Sequence, residues 1–309
     1  MPDQLWGTAR QMNPKVSIIM VTCNRLECLR GCIRMILGQT LSDLELIVAD
    51  DHSSDGTEAY VRQLQDPRVR YYKARVKGGI NAALNGAIAI ARGEYIQICH
   101  DHDGYLPRLT ERMADVLDRN PGVAFVHPGR QGCDYLMNPL PGSLFVCGYP
   151  EVSKGADWRQ LMLTRLASPV TGLSMIRKTA LDKAGLFDPD FDACSDIDMW
   201  MRLCEVGDVG YVNELLLYVR GREPGHPYAG VNWRIFNEVI RIHRKHLKLF
   251  YSGPAYLYWR ARREWEIDFS LAFSYLNSFR HKRKKDIDEG RWYLRQNGVL
   301  VSRLLAWLI

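Results

Sequence analysis

Two kinds of segment alternate along the first 130 residues, and this alternation constrains the fold more than any other feature. Val16–Thr22 (VSIIMVT) is an unbroken run rich in β-branched residues, the pattern of a strand buried on both faces. Leu26–Leu37 follows with apolar residues at Leu29, Ile33, Ile36 and Leu37, a helical spacing. Leu44–Ala49 is a second strand, ending in Asp50-Asp51, and Ser53, Ser54 and Asp55 offer N-caps for a helix through Leu64. Arg68–Lys73 and Tyr95–Cys99 read as further strands, with a helix over Asn81–Ala91 between them. Pro107 opens a helix to Arg119, and Val123–Val126 is a fifth strand. Such alternation predicts an α/β fold with an open, mostly parallel sheet flanked by helices. Ligands on such sheets bind at the carboxyl ends of the strands.

The pattern then loosens. Residues 129–168 are rich in Gly and Pro without clear period, and predict a long excursion over the sheet. Thr171–Arg177 reads as a strand, followed by a short helix to Gly185, an acidic loop and a helix over Ile197–Cys204. From Val231 onward the chain reads as helix: Val231–Leu249, Ala255–Lys282 and Asp288–Leu308. The expected division is a nucleotide-binding and catalytic body over 1–220 and a helical, basic, aromatic region over 221–309.

Composition adds limits. Hydrophobic residues make up 47% and charged residues 25%, which excludes disorder as the main state. The net charge is only +6, but residues 220–309 hold 18 Lys/Arg against 8 Asp/Glu and 16 of the 32 aromatics. A nucleic-acid partner is not expected, because Trp265, Phe269, Ala272, Leu276 and Phe279 have the helical spacing of packed core. Arg280–Lys285 holds five fixed positive charges, and Trp292, Leu300, Leu304 and Trp307 give the terminal helix an apolar side. That segment reads either as a basic turn with a helix packed on the body, or as a helix lying on an anionic membrane. Eight cysteines without a CxxC pair read as buried thiols of a reducing compartment. The N-terminus resembles no signal peptide, and no apolar run reaches the roughly 18–20 residues of a membrane span. The expected location is cytoplasmic, with a peripheral place at the inner face of the membrane compatible with the tail.

Three acidic constellations carry the candidate chemistry. Asp50-Asp51 stands at a strand end, where a carboxylate accepts hydrogen bonds from a base N–H or ribose hydroxyls, or caps the next helix. His100-Asp101-His102-Asp103 stands at another. Its oxygens suit Mg²⁺ or Mn²⁺, and imidazole tilts the choice towards Mn²⁺. Asp188 to Asp198 fails as an EF-hand loop, because Ala193 and Met199 stand where Gly and Glu are needed. Asp196 reads as a general base at a helix start, or as its cap.

VSIIMVTCNR, Gln39-Thr40, LELIVADDHSSDGT, ARGEYIQICHDHDGYLP and DIDMWMRL resemble, in that order, the family two inverting glycosyltransferases of GT-A fold over roughly residues 15–220. The resemblance implies a nucleotide-diphosphate sugar donor, UDP-linked by preference, and a glycan or lipid-linked acceptor. It implies that Asp51 binds the donor base, beside Asp50. Val21, Thr22 and Asn24 would line base and ribose, and Asn85 lies in the matching donor-side helix. Asp101 would contact ribose or metal, and Asp101, His102 and Asp103 would hold the ion. Asp196 would deprotonate the acceptor hydroxyl.

The chain departs from the family pattern in four places. Val21 replaces a usual Pro, and His102 falls at a metal position usually held by a carboxylate. Leu84 replaces an Arg, which leaves Lys73, Arg75 or Lys77 to meet the diphosphate charge. Ser195 replaces an acidic neighbour of Asp196. His226 sits where some relatives place a further metal ligand. An altered or inactive nucleotide-binding relative remains open. So does a metal-dependent hydrolase using the His-Asp-His-Asp cluster, although no HxHxDH follows. The absence of GxGxxG after the first strand excludes a dinucleotide dehydrogenase.

Overall fold

The computed structural model describes residues 13–164, 169–170, 172–221, 233–250 and 252–280, with 288 and 291. His226, the run 281–285 and the stretch 292–309 lie outside the described residues.

The amino-terminal half follows the alternation. Strands β1 (Val16–Thr22), β2 (Leu44–Asp50), β3 (Val69–Lys73) and β4 (Tyr95–His100) are joined by helices α1 (Leu26–Leu37), α2 (Thr57–Gln63) and α3 (Ile80–Ile90). Next come β5 (Gly104–Tyr105), α4 (Leu109–Arg119), β6 (Val123–Cys133), β7 (Pro139–Phe145), β8 (Val152–Ser153) and α5 (Gly155–Thr164). The remaining elements are β9 (Met175–Arg177), α6 (Lys178–Ala184), α7 (Ser195–Val206), β10 (Asp208–Arg220), α8 (Trp233–Phe250) and α9 (Gly253–Arg280).

The strands form one mixed sheet in the order β3-β2-β1-β4-β9-β6-β10-β5, with β7 on β6 and β8 on β10. β1 to β4 are parallel, and β9 runs antiparallel between β4 and β6. The register sets Thr22 opposite Asp50 and Val21 opposite His100, so three strands end at one level. Helices cover both faces over two cores. Ile19, Ile47, Phe125 and Trp200 lie in one, and Ile18, Leu46, Leu117 and Leu217 in the other. Burial on both faces is the reason β1 and β2 read as unbroken apolar runs.

Three expectations fail. Residues 129–168 are not a bare excursion: β6 continues to Cys133 with β7 along its edge, and α5 buries Trp158, Met162 and Leu163. The cross-strand partners that stabilise this part are distant in sequence, and Gly and Pro hide the period. β10, which the sequence reading passes over, is a central partner of β6. On α9, Trp265 and Phe269 are not packed core but 68% and 62% exposed. Helical spacing marks an apolar side without saying what covers it.

α8 is locked to the body by a charge cluster. The fully buried Asp198 carboxylate accepts from Arg202 Nε, Lys245 Nζ and His246 Nε2, each at 2.8 Å. Burial alone would raise its pKa, but His246, Lys245 and the Arg202 charge outweigh that and hold it well below the usual carboxylate range. His243 bridges to the Met162 carbonyl of α5 at 2.9 Å.

Candidate active site

A cavity of about 830 Å³ opens at the strand ends, walled by Val21, Asn24, Arg25, His100, His102, Asp196 and Arg220. It lies where a parallel sheet of this kind exposes its carboxyl ends.

The loop after β1 is held by the loop after β2. Asn24 adopts a left-handed conformation (φ 54°), which Asn tolerates. Its side-chain oxygen accepts from the Ser54 N–H at 2.8 Å, and Asp55 accepts from the Leu26 N–H at 2.8 Å, capping the start of α1. Asp50 is fully buried, with one oxygen taken by Ser53 and the other by the Tyr71 hydroxyl. Asp51 accepts from the N–H groups of Gly78 and Gly79 at 3.1 Å each, fixing the entry to α3. Asn85 pairs through both ends of its amide with the backbone of Phe187. Of the expected donor-side residues, Val21 and Asn24 therefore face the cavity. Thr22, Asp50, Asp51, Asp101 and Asn85 stand behind its wall in hydrogen bonds.

The His-Asp-His-Asp strand end splits in two. Asp101 accepts from the Thr22 hydroxyl at 2.7 Å, and its other oxygen lies 2.8 Å from His102 Nδ1. Burial favours its neutral form, but the bonds from His102 and Thr22 outweigh that and lower its pKa. Arg25 Nη1 stands 2.9 Å from the same His102 nitrogen. A proton on Nδ1 serves Asp101; without it the nitrogen accepts from Arg25. Asp103, 1% exposed, accepts from the Arg220 N–H at 2.7 Å and pairs with His100 Nδ1 at 2.9 Å. Burial opposes the charged imidazole, yet Asp103 raises the His100 pKa above its ordinary value. The two imidazoles stack with centroids 5.4 Å apart.

His100, His102 and Asp103 offer ligand atoms within 4.8 Å of one another. Two imidazoles and a carboxylate suit a transition ion such as Mn²⁺ better than Mg²⁺, so these residues fit the expected group. The trio includes His100 in place of Asp101, which is turned towards Thr22.

Asp196 opens α7 opposite His100. One of its oxygens accepts from the Ile197 N–H at 2.9 Å. Burial pushes its carboxyl up to about 6, against the pull of the Ile197 N–H and the His100 charge. Gly172 lies beneath: a β-carbon there would stand 3.3 Å from His100 Nε2 and 3.4 Å from Asp196 Oδ2. Ser195 donates to Asn81 at 2.8 Å, tying α7 to α3.

The suggested cations resolve differently. Lys73 pairs with Glu58 at 3.2 Å, and Arg75 and Lys77 are exposed on the loop before α3. The arginines on the cavity wall are Arg25 and Arg220. Arg220 donates to the Tyr135 carbonyl and to Cys28 Sγ, and no carboxylate pairs with its guanidinium among the described residues. Arg25 follows Asn24 directly, so its place was available from sequence; Arg220 and Gly172 reach the cavity only through folding.

Residues 17–185 match the family model Glycosyl transferase family 2. The chain belongs to that family. It is 30% identical over 243 residues, 77% of this chain and 83% of the other, to the "Putative colanic acid biosynthesis glycosyl transferase WcaA" of Escherichia coli. Among solved structures it resembles S. aureus TarS 1–349 in complex with UDP-GlcNAc (TM-score 0.61, 18% identity, 92% of this chain and 81% of that one). It also resembles the mannosyltransferase PcManGT from Pyrobaculum calidifontis in complex with GDP-Man and Mn²⁺ (TM-score 0.57, 17% identity, 94% and 78%). At such identities the structural likeness shows the fold. The family 2 chain is a glycosyltransferase, which sets the hydrolase reading aside.

Proposed function

We propose that this family 2 enzyme moves a sugar from a nucleotide-diphosphate donor, UDP-linked by preference, to a hydroxyl of a glycan or lipid-linked acceptor, with inversion. The observation that carries this reading is the Asp196 carboxyl, raised to about 6 on the wall of the cavity and facing His100. Ionised, Asp196 takes the proton of the acceptor hydroxyl as its oxygen bonds to the anomeric carbon. The bond from that carbon to the diphosphate oxygen breaks on the opposite side, and the diphosphate leaves with the electron pair.

Val21 and Asn24 line the base and ribose. Asp51 exchanges one of its bonds to Gly78 or Gly79 for a base N–H. Arg25 and Arg220 neutralise the diphosphate. His100, His102 and Asp103 would hold a divalent ion, Mn²⁺ before Mg²⁺, which supplies further charge neutralisation to the leaving group. A lipid-linked acceptor would set the enzyme at the inner face of the membrane. The test is a panel of UDP- and GDP-sugars with glycan acceptors, scored by nucleoside diphosphate release and by the anomeric configuration of the product. Release from no donor, or a retained configuration, would overturn the reading.

A further inference from the structure

α9 turns its apolar side outward. At about 100° per residue, Leu257, Tyr258, Trp265, Phe269 and Phe273 fall within an arc of about 160°. These five side chains are between 59% and 68% exposed. Tyr256 and Trp259 occupy the opposite side and pack against the body's core. The exposed band runs for about 24 Å along the helix axis, and Trp265 and Phe269 stack with centroids 5.9 Å apart. An aromatic band of this extent marks an interaction surface.

Charge selects the partner. Arg262 lies along this band but is paired with Glu266 at 3.0 Å, so the cations that set the preference are the five fixed positive charges of Arg280–Lys285, at the end of the helix and next in sequence. Trp, Tyr and Phe beside Arg and Lys is the composition of a helix lying in the plane of a bilayer, with rings at headgroup depth and cations on lipid phosphates. We propose that the outward face of α9 is a docking surface for an anionic membrane. Its usefulness rests on the lipid-linked acceptor proposed above, which would then share a surface with the enzyme; the docking itself involves no nucleotide chemistry.

The full chain is sedimented with vesicles of phosphatidylglycerol and phosphatidylcholine, and with phosphatidylcholine alone. We expect partitioning into the anionic vesicles only, weakened by salt. It should fall at least tenfold in Trp265→Ser/Phe269→Ser/Phe273→Ser, and also in Lys282→Gln/Arg283→Gln/Lys284→Gln/Lys285→Gln, with melting temperature retained. Trp265→Gln alone serves where the triple variant loses its helical signal. Three results would each overturn the proposal. One is absence of partitioning by the native chain, and another is equal partitioning by folded aromatic variants. The third is a native dimer that the aromatic variant converts to monomer without vesicle binding, which would assign the face to a second copy. Loss of donor turnover with intact partitioning would count against the transferase proposal and leave this one standing.

Discussion

The Asp196 carboxylate and the His100 imidazole meet over the bare backbone of Gly172, with Oδ2 and Nε2 3.4 Å and 3.3 Å from the place a β-carbon would take. Both border the same cavity, one as a group that takes a proton and the other as an imidazole held through Asp103. Burial raises Asp196 to about 6, so the base works only once the pH passes that value. We expect log turnover to rise with unit slope below about pH 6 and level off above it. A carboxylate at its ordinary value near 3.9 would hold activity down to about pH 4. Asp196→Asn should lower turnover roughly 10²–10⁴-fold with UDP affinity unchanged. A joint collapse of affinity and melting temperature would mark Asp196 as a helix cap.

Gly172→Ala tests the same pair from below. The added methyl would press on both His100 and Asp196 at about the limit of tolerated contact. Acceptor kcat/KM should fall at least about tenfold, as expected for a misplaced reacting pair, while UDP binding by calorimetry stays constant. Unchanged acceptor kinetics would show that the acceptor hydroxyl sits elsewhere.

Arg220 can be read separately from the ion, whereas Arg25 also touches His102 at 2.9 Å, so its variant is compared with and without Mn²⁺. Arg25→Gln and Arg220→Gln should each weaken UDP about tenfold or more, the scale of a charge-assisted hydrogen bond, and leave uridine binding unaltered. Equal losses for UDP and uridine would mean that the arginines shape the loop and do not contact phosphate.

Removal of divalent ions should lower transfer, and Mn²⁺ should restore it at least as well as Mg²⁺, given the two imidazoles of the trio. His102→Ala should raise the Mn²⁺ concentration needed for half-restoration. Full transfer in excess chelator would leave charge neutralisation to Arg25 and Arg220 alone.

Asp198 belongs to stability. Its native pKa lies below the unfolded value, so its contribution is present above the unfolded carboxylate pKa and is lost as pH falls below about 3.9 towards the native value. Asp198→Asn should cost roughly 3–5 kcal/mol in urea unfolding at neutral pH, because Lys245 and Arg202 lose their buried partner. A loss below about 1 kcal/mol would mean that water replaces the carboxylate.

The sequence by itself determined the parallel half of the sheet. Each buried strand is a short apolar run, and each helix has its own period, so β1 to β4 and α1 to α3 are local signals. It also determined that Asp50-Asp51, the His-Asp-His-Asp run and Asp196 stand at element ends, because the apolar periods stop there. The family motifs carried the transferase reading. Tertiary structure alone decided which of these polar residues reach the cavity. Asp51 faces Gly78 and Gly79 and Asn85 faces Phe187, partners from loops that periodicity leaves unplaced, while Asp101 faces Thr22 because β1 and β4 end side by side. It also decided that β10 lies beside β6 and brings Arg220 to Asp103, a pairing across 117 residues. The outward turn of Trp265 and Phe269 was settled in the same way. An amphipathic period specifies an apolar side, whereas its burial depends on whether another element is there to cover it.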